Sequence, residues 1–262
     1  SVWPQEGPKE RADFLAAMVA GLSLEDEPFL ETALDDRRKE IRKTAADLLA
    51  QLPQSKLCRR MLDRAQTLLG FKRNLSGRDH LEITLPDACD KSMLRDGIEP
   101  KPFFHGLGEK AWWLQQMLAA IPPRSWQDLS DRTARELIAA ATHSEWKDVL
   151  LEAWSQSARR YDDAEWAEAL LEELYRQGQA VYLMRALPEA KQEAFVMRLL
   201  AENPSLHSTQ PARNFLAVCR HRWSEALSRA VVNSLLHHAE TDGFKVDWWW
   251  TGFLNEIGLR LK

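Results

Sequence analysis

The chain has 262 residues, a length that allows one large domain or two small ones. Its net charge of −4 excludes a general affinity of the whole chain for polyanions, and no segment approaches the ~20 consecutive apolar residues of a membrane helix, so we expect no membrane partner. Three widely spaced cysteines exclude a disulfide scaffold, and the N-terminus lacks a signal-peptide pattern. We therefore expect a protein of the reducing cytoplasm.

Helical periodicity dominates the sequence, and short gaps that contain proline separate the periodic segments. Three apolar stripes are predicted to face the core: Phe14, Leu15, Met18 and Leu22; Ile41, Ala45, Leu48, Leu49 and Leu52; and Leu57, Met61, Ala65, Leu68 and Leu69. Ser23 to Asp26 and Ser125 to Asp128 resemble capping boxes with Asp in place of Glu, and Pro188 is typical of a helix start. Helices are predicted at 8–21, 24–34, 37–52, 55–70, 106–120, 128–141, 144–159, 163–176, 179–187, 189–202, 212–221, 224–239 and 245–260.

Residues 72–104 carry no helical stripe. Apolar and polar residues alternate from Leu81 to Pro86, as in a short strand, and Asp96-Gly97 is a turn signal. We expect an irregular connector or insertion here that holds at most a short β-hairpin. The predicted organisation is a helical N-terminal part (1–71), this connector (72–104) and a C-terminal helical-repeat region (105–262).

The segment 24–52 carries the most specific pattern. A helix opened by Pro28 ends at Leu34, Asp36 stands in the turn, and a second helix reads Ile41-Arg42 followed by Ala45 and two later leucines. This segment resembles a HEAT repeat. The resemblance implies an all-α fold, an antiparallel helical-repeat array of the HEAT-like α-solenoid type, in which Asp36 and Arg42 form a ladder between neighbouring repeats.

Residues 1–70, together with Gly108-Glu-Lys-Ala-Trp-Trp113 and Ile121-Pro-Pro, are also similar to an uncharacterised bacterial family of HEAT-like character. Members of that family accompany MoxR-type AAA ATPases and von Willebrand A-type proteins. The resemblance therefore implies a protein partner of one of these classes, and it supplies no catalytic residue.

The sequence contains fragments of cofactor-binding and metal-binding motifs, but their neighbouring residues do not predict the local structure that such sites require. The spacing Gly106-x-Gly108-x-x-Ala111 matches the dinucleotide fingerprint, but it follows prolines and aromatic residues instead of a buried strand. His237 and His238 are adjacent, so on a helix they lie about 100° apart and do not chelate one ion easily. We predict no catalytic, cofactor-binding or metal-binding residues, and an enzyme is the less favoured interpretation. Four of the eleven tryptophans occur at helical spacing and are predicted to lie in the core: Trp146, Trp154, Trp166 and Trp223.

Charge is segregated along the chain. Residues 23–36 carry six acids and no base, whereas 37–78 carry twelve bases against three acids. This basic block is typical of a solvated face, of a surface for an acidic protein, or of a nucleic-acid interface. Trp248 is predicted on the side of its helix opposite the apolar stripe, where it packs internally or meets a partner. The candidate partner-binding residues are Arg37, Arg38, Lys56, Arg59, Arg60, Arg64 and Trp248.

The absence of catalytic motifs and the repeat pattern favour a non-catalytic protein–protein interaction scaffold of the HEAT-repeat type. The alternative is a nucleic-acid-binding helical solenoid that uses the basic block 37–78. Some HEAT-like solenoids bind DNA in this way, including a bacterial class of DNA glycosylases.

Overall fold

The structure, a computed structural model, describes residues 3–73, 79–103, 106–177, 180–204, 206, 211–242, 252, 254–255 and 258–260. The chain is mostly helical, with a small two-stranded antiparallel sheet. The chain divides into two compact units, Ser1–Tyr161 and Asp162–Lys262. The boundaries predicted at 71/72 and 104/105 both fall inside the first unit, and the three-part organisation stays a prediction. Over the described ranges, no helix has both the length and the apolar character needed to cross a membrane.

The first unit is built from short helices joined by short connections. Its elements are α1 (Pro8–Ala17), α2 (Glu27–Ala33), α3 (Lys39–Leu49), α4 (Lys56–Ala65), β1 (Leu69–Arg73), β2 (Asp79–Ile83), α5 (Lys91–Arg95), α6 (Glu109–Ala119), α7 (Arg124–Ser130), α8 (Ala134–Thr142) and α9 (Lys147–Arg160). Short 3-10 helices at Trp3–Gln5 and Leu24–Asp26 precede α1 and α2. The pairs α6 with α9, α2 with α3, α1 with α3 and α4 with α6 make most of the helix packing.

The core of this unit follows the predicted stripes on α3 and α4. Their buried residues are Ile41, Ala45, Leu48, Leu49, Leu57, Met61 and Ala65. On α1 only Leu15 is buried, whereas Phe14 is 53% exposed. Phe14 lies edge-on to Trp3 and Phe29, with ring centroids 6.1 and 5.5 Å away. The predicted apolar face of α1 is therefore buried only in part.

The helix predicted at 128–141 is divided into α7 and α8. Asp131 adopts a left-handed conformation (φ 53°), which ends α7. Thr133 and Glu136 then form the capping box that starts α8. Ser125 lies inside α7, after Pro123, so the capping box predicted at this serine was wrong. The capping box predicted at Ser23 is confirmed, since its backbone N–H donates to the Asp26 carboxylate at 2.9 Å.

A β-hairpin forms within and just before the predicted connector. β1 and β2 pair in antiparallel register, with Phe71 opposite Leu81. β1 begins at Leu69, inside the helix predicted at 55–70. The predicted helix was too long because Leu69 continues the helical stripe of α4 in the sequence. Leu69 and Leu81 are buried, while Lys72 and Glu82 form an exposed ion pair of 2.7 Å. The hairpin thus has one apolar face and one charged face.

The second unit has the same helical character. It contains α10 (Ala164–Leu174), α11 (Glu189–Glu202), α12 (Pro211–Val218) and α13 (Glu225–Asp242), with 3-10 helices at Tyr175–Gln177 and Ala180–Ala186. The bounds of α11 are those predicted. Most of the helix predicted at 245–260 lies outside the described residues.

The predicted core tryptophans are buried with one exception. Trp166 and Trp223 are fully buried in the second unit, as Trp154 is in the first, which confirms their assignment to the core. Trp146, at the start of α9, is only partly buried. It precedes the first helical turn, so the helical spacing does not place it on the packed face.

Gly97 offers a test of the close approach between α3 and the turn that follows α5. Its φ is +81°, and a Cβ at this position would lie 2.5 Å from the Cβ of Ala46. We expect Gly97→Ala to lower the free energy of unfolding by about 3 kcal/mol, since it adds steric overlap to backbone strain. Urea denaturation monitored by circular dichroism measures this loss.

Gly21 is the matched control because its φ is +89° but no atom lies within 4 Å of the place that a Cβ would take. Gly21→Ala should therefore cost only the conformational part, about 1 kcal/mol. Equal losses in the two variants would show that the contact with Ala46 contributes nothing.

Candidate functional site

A half-open groove of about 140 Å³ lies in the first unit between α3, α4, α6 and the end of α9. Four of its apolar residues are alanines, and their short side chains leave the space between the helices open. The apolar part of the groove is lined by Ala46, Ala50, Leu57, Met61, Gly97, Ile98, Ala119 and Ala120.

Aromatic and polar side chains complete the groove. Phe103 is 75% exposed and lies edge-on to Trp112, with ring centroids 6.0 Å apart. An exposed phenylalanine beside a groove is unusual because water contact of its ring is unfavourable. The polar lining residues are Lys43, Asp47, Asp96, Gln116, Gln156 and Arg160.

The loop that carries Phe103 is fixed to α6 by hydrogen bonds. The Gln116 side chain accepts from the Glu99 N–H at 2.9 Å and donates to the Glu99 carbonyl at 3.0 Å. The Trp113 indole N–H donates to the Pro100 carbonyl at 2.8 Å. These bonds place Phe103 beside Trp112.

The start of the same loop is held by a set of ion pairs that we call the arginine–carboxylate cluster. Its central group is Asp96, whose side chain is 1% exposed. The Arg60 guanidinium donates to both Asp96 oxygens at 2.7 and 3.0 Å, and the Arg64 guanidinium donates to Asp96 at 2.7 Å. The members of the cluster are Arg60, Arg64, Arg95, Glu31, Asp35 and Asp96.

The cluster joins elements that are far apart in sequence. Glu31, on α2, accepts from Arg60 at 3.0 Å and from Arg95 at 3.3 Å. Arg95 also donates to Asp35 at 2.6 Å, and this hydrogen bond holds the pKa of the Asp35 carboxyl below its usual range. The three arginines and three carboxylates balance in charge. Arg95 and Asp96 were not among the predicted site residues, because they stand in a predicted irregular segment with no spacing that relates them to α2 or α4.

Arg60 and Arg64 were predicted as partner-binding residues, and the structure places both in this cluster. Their contact with a partner stays a prediction, but their charge is already matched by carboxylates of the same unit.

The other predicted basic residues lie at two separate places. Arg37 and Arg38 are exposed in the turn between α2 and α3, whereas Lys56 and Arg59 are exposed at the start of α4. The backbone N–H of Lys56 donates to the Glu27 carboxylate, at the other end of α2 from that turn. Ser55, the residue before Lys56, donates to the Leu49 carbonyl at the end of α3, whereas Arg38 directly precedes α3. The length of α3, about 16 Å, therefore separates the two pairs. Trp248 lies outside the described residues.

Asp36 and Arg42, the predicted ladder residues, both tie the α2–α3 turn to neighbouring structure. The Asp36 carboxylate accepts from the Arg38 N–H at 2.8 Å and pairs with Arg11 of α1. The Arg42 guanidinium donates to the Asp36 carbonyl at 2.9 Å and to the Leu94 carbonyl at 3.4 Å. Asp36 thus links the turn to α1, and Arg42 links it to α5.

Two ionisable side chains meet near the C-terminal ends of α3 and α6. The Tyr161 hydroxyl oxygen lies 2.6 Å from the Ala50 carbonyl oxygen and 3.0 Å from that of Ala120. Cys58 Sγ lies 3.3 Å from the same hydroxyl. Burial raises the pKa of the Cys58 thiol and also that of Tyr161. Both groups are therefore neutral at physiological pH, and the thiol is a poor nucleophile.

The sequence profile of a family of unknown function, DUF5691, matches residues 1–262. The chain belongs to this family. The comparisons with curated proteins and with solved structures find no match. In this member of DUF5691, no group of three His, Cys, Asp or Glu side chains within the described residues is placed to hold a metal ion.

In the second unit, the polar contacts join helices. Glu193 of α11 is largely buried, accepts from the Ser224 N–H at 2.8 Å and lies 3.1 Å from His221 Nε2. Burial raises the pKa of this carboxyl, but the bonds from Ser224 and His221 outweigh burial and leave it below its usual range. Burial raises the pKa of the nearby Cys219 thiol to about 12. This arrangement links α11 to the start of α13.

The buried carboxylate of Asp96 should stabilise the first unit more than an exposed member of the cluster does. We expect Asp96→Asn to lower the free energy of unfolding by about 3 kcal/mol, because it leaves Arg60 and Arg64 without their shared partner. Asp35 is paired with Arg95 but its side chain is 63% exposed, so Asp35→Asn should cost less than about 1 kcal/mol. Urea denaturation of both variants checks the difference, and equal losses would contradict the central role of Asp96.

Acid sensitivity is expected from Asp90, which caps α5. Its carboxylate accepts from the Met93 N–H at 2.8 Å, and this bond, with one from Ser92, holds the pKa of Asp90 below its usual range. A carboxyl with a lowered pKa in the folded state stabilises the fold above its unfolded pKa, about 3.9, and this contribution is lost as the pH falls further. Asp90→Asn can still cap α5, so its stability should fall less steeply between about pH 5 and pH 3 than that of the wild type. A parallel fall in both proteins would refute this assignment.

Proposed function

We propose that this protein is a non-catalytic scaffold that binds another protein through the groove between α3, α4, α6 and α9. The observation that carries the proposal is the exposure of Phe103, three-quarters of which meets solvent beside Trp112. Buried aromatic anchors contribute much of the affinity at protein interfaces, and a fixed loop lowers the entropic cost of binding. A partner that covers Phe103 would remove its ring from water.

The chemistry around the groove supports a binding role over a catalytic one. Asp96 is neutralised by two arginines, and Asp47 pairs with Lys43. The thiol of Cys58 and the hydroxyl of Tyr161 are held in their protonated forms by burial. These ionisable groups are thereby occupied in structural contacts rather than poised for acid–base or nucleophilic work.

We further propose that the helices form a HEAT-like repeat array. The packing of α2 against α3, the turn between them and the links of Asp36 and Arg42 to α1 and α5 support a HEAT-like hairpin at 24–52. By the resemblance of residues 1–70 to the bacterial family described above, the proposed partner is an AAA ATPase or a von Willebrand A-type protein, and the proposed compartment is the bacterial cytoplasm.

Nucleic-acid binding is the weaker alternative. Two of its six basic candidates, Arg60 and Arg64, are matched by carboxylates. The exposed pairs Arg37–Arg38 and Lys56–Arg59 lie at opposite ends of a helical hairpin, so they do not form one continuous phosphate-binding track.

Site-specific photo-cross-linking tests the proposal. Benzoylphenylalanine in place of Phe103 keeps an aromatic ring at the groove, and irradiation of cells that naturally produce the protein should yield a discrete adduct. We expect this adduct to be destroyed by protease and unaffected by nuclease. The same probe at Arg135, an exposed residue of α8 that does not line the groove, serves as the matched control and should yield no adduct of that mass.

The outcomes separate the candidate functions. A nuclease-sensitive adduct that is lost in an Arg37→Glu, Arg38→Glu variant would favour nucleic-acid binding. Absence of any adduct at position 103 would count against the groove as the binding surface.

A further inference from the structure

We propose that the groove recognises a segment of its protein partner in which an apolar side chain lies next to an Asp or Glu, with that carboxylate bound by Arg160. This inference rests on the proposed function and adds the chemistry of the partner. Two observations support it: the size of the groove, and the lack of an ion pair between Arg160 and any carboxylate in the described part of the unit.

The apolar part of the groove has room for a single side chain. The whole groove, including its polar lining, has a volume of only about 140 Å³. An apolar cavity of about 150 Å³ holds a molecule of the size of benzene, so a Leu, Ile, Met or Phe side chain matches this space better than a longer polar one. Phe103 and Trp112 at the rim would cover the inserted side chain from solvent.

Four charged side chains line the groove, two cations and two carboxylates. Lys43 pairs with Asp47, and Asp96 is bonded to the arginines of the cluster. Arg160 forms no ion pair with a carboxylate of the described residues, and one of its N–H groups donates to the Ala119 carbonyl at 2.6 Å. A guanidinium has five N–H donors in a planar fork, and Arg160 is only half-buried, so it keeps contact with solvent.

The bond to Ala119 gives Arg160 a structural role as well, since it satisfies a carbonyl at the end of α6. That bond uses one donor and fixes the orientation of the guanidinium at the edge of the apolar pocket. A fixed guanidinium beside an apolar space binds a carboxylate with less loss of side-chain freedom than a mobile cation would. Charge and shape together therefore select an acidic residue adjacent to an apolar one.

The probe is a phage-displayed library of random twelve-residue peptides, fused through their C-termini so that only side-chain carboxylates are presented. Selection on the full chain should enrich peptides in which Asp or Glu neighbours Leu, Ile, Met or Phe. The selected peptides are then synthesised with amidated C-termini, and their affinities are measured by fluorescence anisotropy.

A double-mutant cycle assigns the carboxylate to Arg160. Arg160→Gln, and separately an Asp→Asn or Glu→Gln change in the peptide, should each weaken binding about tenfold, while both changes together should weaken it little further. Phe103→Ala removes a largely exposed side chain, so it should weaken binding without unfolding the protein. Arg135→Gln is the control for loss of a positive charge elsewhere, and thermal unfolding of every variant confirms that the fold is retained.

Two results would overturn the inference: selected peptides without an acidic residue, or additive effects of Arg160→Gln and the peptide change. Failure to enrich any peptide would also overturn it. If the cross-link at position 103 still captures a protein in these cases, the proposed function stands and only the acidic–apolar chemistry fails.

Discussion

The buried carboxylate of Asp96 is the constraint on which the geometry of the first unit depends. A carboxylate with a nearly inaccessible side chain is stable only if it is fully bonded, and Arg60 and Arg64 supply that bonding from α4. The next residue, Gly97, lies so close to α3 that a methyl group would overlap Ala46. Two residues later, Glu99 bonds to Gln116 of α6. One short loop is thus attached in succession to three helices, and the groove is the space that these attachments leave between them.

The same contacts explain why acidic and basic residues that are segregated along the sequence are not equally segregated on the surface of the fold. The acidic block at 23–36 and the basic block at 37–78 follow each other directly in the chain. In the fold, Glu31 and Asp35 of the first block meet Arg60 of the second and Arg95, while Asp36 meets Arg11. The long-range field of the basic block is therefore weaker than a count of charges along the sequence indicates.

Local patterns predicted local structure well, and they failed where distant residues decide the outcome. The stripes on α3 and α4 anticipated their buried faces, because a helical period reports which side of a helix is apolar. The division between α7 and α8 was not predicted, since it depends on a left-handed Asp131 that no composition rule marks. The sequence places Phe103 only within an irregular segment. Its exposure follows from bonds between Glu99, Pro100 and α6, which no short spacing in the sequence encodes.

The Tyr161 hydroxyl limits where the chain can be divided. Tyr161 is the last residue of the first compact unit, and its hydroxyl meets the terminal carbonyls of Ala50 and Ala120, which lie 111 and 41 residues earlier in the chain. A fragment cut after position 158 would leave those carbonyls open to bulk water and would shed the guanidinium of Arg160 as well. A fragment that ends at 161 retains both side chains and their hydrogen bonds to the ends of α3 and α6. Three residues at the cut therefore decide whether these helix ends keep their hydrogen-bond donors.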